Sequence, residues 1–531
     1  MTTGPGPYVE AFEYSFSPLD PHAAHVDPPA VAVYETLLTR GADGSPRAGM
    51  AQSWTVDPSG LIWELRLRDD LRFHSGAACT AEAVVSSLDA LRWEMHVLPG
   101  GRQLWYWDPV ERVVATDSNT LRFHLHHPHP RLFSLLWGTH TAIHCEATRR
   151  TRGDDFGVEV ADGTGPFRLR SWSPSEVVAD RVDWYPGSGA RVAEARWHAL
   201  PQSHDRISAL INGEALCAHA LDTAAVQQLK DDPLFDMAVQ PQPSSLYLTL
   251  DWRRSDLGFD DVRTRRAIGL AIDRRQIVTD AFDGLATPSW GPLPAGHDFY
   301  EPTADLAGVC DRAAAAHTLT SLGWHRGVDG VLERTGTRFS VECVVQDDES
   351  FRAVFACVEA DLRSIGIELL PRFATPFADF YSAVQHGTGA ALSKWLWPDP
   401  MDALIGFSSS GTAPFPNWEY ASVPALDQAF DRFLRGCSDD DLTAAALDVQ
   451  QVFAAELPYL PLVTPHDVWA WSRRVSGFRP VHGDLYPRYD DDPASSSTLI
   501  AAKSSSLLTA SAACKRRGRS TSAGTSVPID R

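Results

Sequence analysis

Apolar and polar residues alternate from Leu61 to Arg68. Leu61, Trp63, Leu65 and Leu67 share one parity, and Ile62, Glu64, Arg66 and Arg68 the other. A period of two predicts a half-buried strand. Trp54-Thr55-Val56 precedes it, separated by Asp57-Pro58-Ser59-Gly60, so the stretch predicts a hairpin: Pro fixes φ and Gly accepts a positive φ. Thr80 is a suitable N-cap for AEAVVSSLDAL, and a helix is expected behind it. A second hairpin is expected over residues 113–123, where two alternating runs flank Asp117-Ser118-Asn119. Later the period changes. FRAVFACVEADLRSIG (351–366) and DDDLTAAALDVQQVFAAELP (439–458) carry apolar residues at helical spacing, with Asp440 or Asp441 expected to cap the second. Mixed strands and helices predict an α/β protein.

Several residue strings, taken in order, resemble family 5 of the extracellular solute-binding proteins, the oligopeptide, dipeptide and nickel receptors of ABC importers. The segment from Ala51 to Thr80 with Phe73-His74-Ser75-Gly76 is similar to the family signature. Leu19-Asp20-Pro21-His22 with Tyr34-Glu35-Thr36-Leu37-Leu38 is similar to its opening strand and first helix. Gly163-Thr164-Gly165-Pro166-Phe167 resembles the return into the main lobe, and Ile207 to Glu214 a helix ending in a Gly-Glu turn. Phe259 to Arg263 and Arg266 to Arg274 resemble the helix that opens the second lobe. Gly323-Trp324, Ile365-Gly366-Ile367, Pro458 to Leu462 and Gly477-Phe478 continue the series over residues 8–488.

The resemblance implies a two-lobed periplasmic-binding-protein-like α/β fold with an inserted subdomain in lobe I. Lobe I is expected from residues 8–47, 163–252 and 466–488, the insertion from 48–162 and lobe II from 253–465. Residues 489–531 are rich in Ser, Ala and Thr, lack periodicity and are expected to be a disordered tail. A cleft between two lobes is where a small solute is held.

Composition narrows the partners. The chain has 531 residues and a net charge of −21, which argues against nucleic acid. No apolar run is long enough for a membrane helix. The eight cysteines (79, 145, 217, 310, 343, 357, 437 and 514) form no CxxC pair and read as small buried apolar residues. MTTGPGPYVEAFEYSF shows no basic n-region, apolar h-region or lipid-accepting Cys. The resemblance implies an extracytoplasmic protein; a cytoplasmic ligand sensor is the alternative for a chain that starts this way.

The candidate ligand segment is Ser393 to Asp402, by resemblance. Where peptide receptors place an amine-binding Asp, three residues before the acid of an acid-Pro pair, this chain has Leu396 before Asp399-Pro400. An unpaired ammonium in a closed cleft is costly, so Asp399 and Asp402 are the acids left to meet a cation, with Asp399 also suited to a turn before Pro. Trp395 and Trp397 would share one face of a strand and offer an indole platform, or else pack between elements. Asn417, Trp418 and Tyr420 resemble the family's N-x-x-Y turn near the cleft. Arg352 suits either a ligand carboxylate or an ion pair with the acids just before it. Trp105-Tyr106-Trp107 reads as packing. His124, His126, His127, His129, His140 and His144 raise a metal reading, but no carboxylate or thiolate closes a ligand set in the sequence, and no metal is expected.

No nucleophile elbow, HExxH, P-loop or dinucleotide-binding turn is present. The expectation is a monomeric, non-catalytic binding protein, without cofactor, that closes on a peptide-like or other small solute and delivers it to an ABC permease. An enzyme on the same scaffold is a further alternative.

Overall fold

The strand Tyr8–Phe12 divides its side chains between two cores. Tyr8 and Phe12 pack with Phe167, Trp197 and Trp469, while Val9 and Ala11 face Ile207, Leu210 and Val468 on the other side of the sheet. The strand runs parallel to Glu194–Ala199 and to Cys217–Ala218. Glu194–Ala199 continues antiparallel into the hairpin Phe167–Ser173 and Glu176–Arg181. The computed structural model describes residues 7–22, 28–41, 45–97, 107, 109–129, 132–185, 192–243, 245–297, 299–302, 310–375, 377–386, 389–394, 404, 417, 419–436 and 438–475.

A second α/β half is built around Ser340–Gln346, which lies parallel to both Glu368–Ala374 and Gly389–Lys394. The helix Glu349–Ser364 makes one crossover. It buries Phe351, Val354, Phe355, Val358 and Leu362, a helical spacing, and starts where the Asp348 carboxylate accepts the Phe351 N–H at 2.9 Å. The apolar residues of these strands face a large core on one side and the helix Phe377–Gln385, through Phe380, Ala383 and Val384, on the other.

One strand joins the halves. Leu460–Ser472 pairs with Leu246–Leu250 through Leu460 to Val463, and with Phe235–Pro241 through His466 to Ser472. One continuous strand thus serves both halves, and the two-lobed fold shares a single 12-stranded sheet.

The inserted subdomain has its own antiparallel sheet of four strands, Ala51–Val56, Ile62–Leu67, Thr120–Leu125 and Val110–Asp117. Its core holds Trp63, Leu65, Leu121, Phe123 and Trp107, so Trp107 packs as expected; Trp105 and Tyr106 lie outside the described residues. The first hairpin turns where the Asp57 carboxylate takes N–H bonds from Leu61 and Ile62 at 3.0 and 2.9 Å. Gly163-Thr164-Gly165 closes the insertion against the helix Pro28–Val33. A Cβ on Gly163 would lie 2.2 Å from the Val33 carbonyl oxygen, and one on Gly165 2.6 Å from that of Ala32. His74 caps the same junction: its N–H donates to Gly163 O and its ring nitrogen Nε2 meets Gly165 O, both at 2.9 Å. Two strings that resemble the family therefore meet in space, and glycine is required there by close backbone approach.

Two local expectations change. Leu19–His22 is a loop, not the opening strand, and Tyr34–Leu38 follows the first helix instead of forming it, because Pro28–Val33 supplies that helix. The cap of the helix Asp439–Glu456 is Ser438, whose Oγ accepts the Asp441 N–H at 3.2 Å. Asp440 and Asp441 occupy its first turn, where acids oppose the helix dipole. Among the described residues Cys79, Cys145, Cys217 and Cys343 are buried thiols and Cys310 and Cys357 are partly buried ones. No described helix is long and apolar enough to cross a membrane.

Candidate functional site

The strand Gly389–Lys394 ends at the crossing. Its last residue, Lys394, pairs with Leu246, and Leu246 pairs with Val463 on the strand shared by the two lobes. Lys394, the residue before Trp395, is thus level with the crossing. Trp395, Trp397, Asp399, Asp402 and Trp418 themselves lie outside the described residues.

Asn417 makes a closed turn: its Nδ2 donates to Ala421 O at 2.8 Å and its Oδ1 accepts the Ala421 N–H at 2.9 Å. Tyr420 donates its hydroxyl to Gln385 O at 3.2 Å, and the Arg253 guanidinium covers its ring at 3.5 Å. Arg253 is held in turn by both oxygens of Asp251. Arg352 bonds Asp347 at 2.6 Å and lies over the Phe373 ring at 3.9 Å. Each of these three side chains has partners within lobe II. Asn417 and Tyr420 belong to one turn, and Arg352 stands on a different helix.

Glu419, between them, is the acid of the 417–420 turn, and its burial is not evident from the sequence. It is buried, and burial pushes its carboxyl up to about 8, with Asp251 adding to the shift. Its charge acts on the buried phenols of Tyr247 and Tyr459, whose rings are 4.6 Å apart beside the crossing.

On the lobe I side of the crossing, His219 Nδ1 bonds Glu13 at 2.9 Å and its ring stacks at 4.0 Å on Trp469. Burial alone would raise the Glu13 carboxyl and lower His219. Their mutual attraction more than reverses both, so Glu13 is held below its ordinary value and His219 above it. Asp467 lies 3.6 Å from the other ring nitrogen, a charge contact beyond hydrogen-bond reach, and accepts the Gln242 amide at 2.6 Å. The lobes also meet away from the crossing, where His129 Nδ1 lies 3.0 Å from Leu434 O.

A small cavity between lobe I and the insertion is lined by Tyr34, Glu35, Thr36, Gly49, Thr139 and Tyr185. Glu35 there takes bonds from Tyr185 at 2.9 Å and Arg68 at 3.0 Å. Its volume is about 30 Å³, room for one or two waters and not for a solute.

Of the six histidines weighed for metal, only His144 joins a grouping of potential ligands among the described residues, with His22 and Glu146. The sequence reading found no carboxylate to close such a set. The fold supplies one.

Two α/β halves sharing a crossing strand define a two-lobed substrate-binding protein. The sequence profile of the bacterial extracellular solute-binding proteins, family 5, matches residues 45–415. The chain belongs to that family. It is 23% identical over 486 residues to the glutathione-binding protein GsiB of Salmonella typhi, covering 88% of this chain and 91% of that one. Its fold matches DppA of Helicobacter pylori in complex with the peptide STSA, with a TM-score of 0.77 at 20% identity over 91% of this chain and 97% of that one. NikZ of Campylobacter jejuni in complex with Ni(L-His) matches with a TM-score of 0.77 at 16% identity, over 91% and 97% of the two chains. These relatives are binding proteins.

Proposed function

We propose that the chain captures a peptide-like solute in a cleft between lobe I (residues 8–47, 163–252 and 466–488) and lobe II (253–465), with 48–162 inserted in lobe I. It acts outside the cytoplasm as a monomer, without catalysis, and hands the solute to an ABC permease. The solute contacts both lobes, so closure gains contacts that the open form lacks and the population shifts toward closed. The carrying observation is the register of Lys394 with Leu246, which brings the start of the segment bearing Trp395, Trp397, Asp399 and Asp402 to the crossing. The absence of an Asp at Leu396 favours solutes not read through an α-amine in the position of an ordinary peptide N-terminus, such as γ-linked or amine-modified peptides. The charge of −21 disfavours nucleic acid.

A thermal-shift screen against glutathione, di- to pentapeptides, opine-like amino-acid conjugates and metal–histidine chelates tests the reading. A solute at a hundredfold over its Kd should stabilise by about 2.7 kcal/mol. Loss of that shift in Trp395→Ala and Trp397→Ala, with solute recovered unchanged, is the expected result. A solute that binds both variants as tightly as wild type, or is converted, overturns it.

A further inference from the structure

The loop after the first strand and the far end of the inserted subdomain converge on one point. His22 Nε2 lies 3.1 Å from His144 Nε2, and His144 Nε2 lies 3.0 Å from Glu146 Oε2. All three atoms fall within 4.8 Å of one another. His144 is fully buried, Glu146 nearly so, and His22 half-buried.

One proton serves this trio poorly. An N–H at His144 Nε2 bonds either the His22 nitrogen or the Glu146 oxygen in line, or reaches both only as a bent, weaker three-centre bond. A cation accepts from all three. Ligand atoms about 2.0–2.2 Å from a tetrahedral zinc stand roughly 3.3–3.6 Å apart, so the two measured separations need open by only a few tenths of an ångström.

The surroundings fit. The other His144 nitrogen, Nδ1, lies 2.9 Å from Ser87 Oγ, and the same oxygen accepts the His144 backbone N–H at 3.1 Å. The ring is thus fixed with Nε2 aimed at the trio, with a hydroxyl in the outer position where metal-bound imidazoles have a carboxylate, carbonyl or water. Arg150 bonds Glu146 Oε1 at 2.7 Å and leaves Oε2 toward the histidines. Arg149, 3.7 Å from Oε2 and 3.4 Å from Asp20, adds positive charge that opposes a weakly held cation. Two imidazoles and one carboxylate favour zinc, nickel, cobalt or copper over magnesium or calcium. An open groove along Glu82, Ser86, Asp89 and Glu146 gives solvent a way in.

We propose that His22, His144 and Glu146 bind a divalent transition-metal ion that fastens the Leu19–His22 loop to the inserted subdomain. The ion is a resident clip and not the transported solute, so the proposal is independent of the solute reading.

The test uses chelator-treated full-length protein incubated with zinc sulfate, with bound zinc measured after gel filtration and Tm by calorimetry. One zinc per chain with a raised Tm is expected, both lost in His22→Ala and Glu146→Gln and both kept in Trp395→Ala. His22 is half-buried, so its variant should fold and melt near the wild-type apoprotein. An exposed control, His204→Ala, should bind as wild type. No bound zinc, zinc held equally by His22→Ala and Glu146→Gln, or zinc lost in Trp395→Ala overturns the proposal. Cobalt gives a second readout: visible d–d bands should appear in wild type and not in His22→Ala.

Discussion

Ser245, just before the strand Leu246–Leu250, and Thr464, on the strand shared by the two lobes, have their hydroxyl oxygens 3.0 Å apart. Ser289 joins them at 3.0 Å from Ser245, and all three are buried. Thr464 directly precedes Pro465, where the shared strand changes partners. The hydroxyls therefore tie together the backbone that must bend when the lobes move. Ser245→Ala leaves two buried hydroxyls short of a partner, which costs about 1–3 kcal/mol. The urea midpoint should fall accordingly. An unchanged midpoint would mean that the crossing does not depend on this cluster.

Glu419 should make stability fall as pH rises. Its folded pKa of about 8 lies above the ordinary 4.5. Below pH 4.5 the carboxyl is protonated in both states and costs nothing. Between 4.5 and 8 the unfolded chain ionises and the folded one does not, so unfolding gains about 1.4 kcal/mol per pH unit. Above 8 the full penalty is present. Glu419→Gln should match wild type near pH 4 and exceed it by a few kcal/mol at pH 8. Parallel pH curves for the two proteins would refute the assignment.

Gly163→Ala would set a Cβ 2.2 Å from the Val33 carbonyl oxygen and 2.6 Å from the Tyr34 ring. Backbone cannot yield as a flexible side chain does, and at least ~2 kcal/mol of destabilisation is expected. Gly213→Ala, where a Cβ meets nothing within 4 Å but φ is +76°, should cost less, roughly 1 kcal/mol. Comparing their Tm values separates close approach from backbone strain. The account fails if Gly213→Ala is the more damaging.

Arg274 is a buried clamp. Its guanidinium donates to the carbonyls of Ser289 and Pro461 at 3.1 and 2.8 Å and of Gly269 at 2.9 Å, beneath Trp290 at 4.4 Å. Arg274→Met keeps the length and removes every donor, so about 3 kcal/mol or more should be lost. Arg275→Met, next to it on the exposed side of the helix, should change little. Chemical denaturation of the two variants checks the contrast.

The local turns were legible in the sequence because their causes are local. Asp57 reads as a turn residue since the N–H groups it holds lie four and five positions away. The reason for Gly163 and Gly165 is Pro28–Val33, far upstream, so only the resemblance marked them. Nothing beside Glu419 in the sequence signals its burial, because Tyr247 and Tyr459, whose phenols feel its charge, come from distant parts of the chain. His22 and His144 are 122 residues apart, and no spacing rule joins them. The histidines that did cluster in sequence, His124 to His129, drew attention away from His144, which stands with His22 and Glu146.

The strand Leu460–Ser472 is the final described strand, yet it completes the sheets of both lobes. It pairs with strands that begin at Phe235 and Leu246, more than two hundred residues earlier. During synthesis neither lobe has its full sheet until this segment has left the ribosome. Most of the chain must wait incomplete, with long-range pairings formed late and slowly. A nascent chain halted before Leu460 should thus have the sheet of its inserted subdomain but neither lobe complete, and remain open to chaperones until translation has nearly ended.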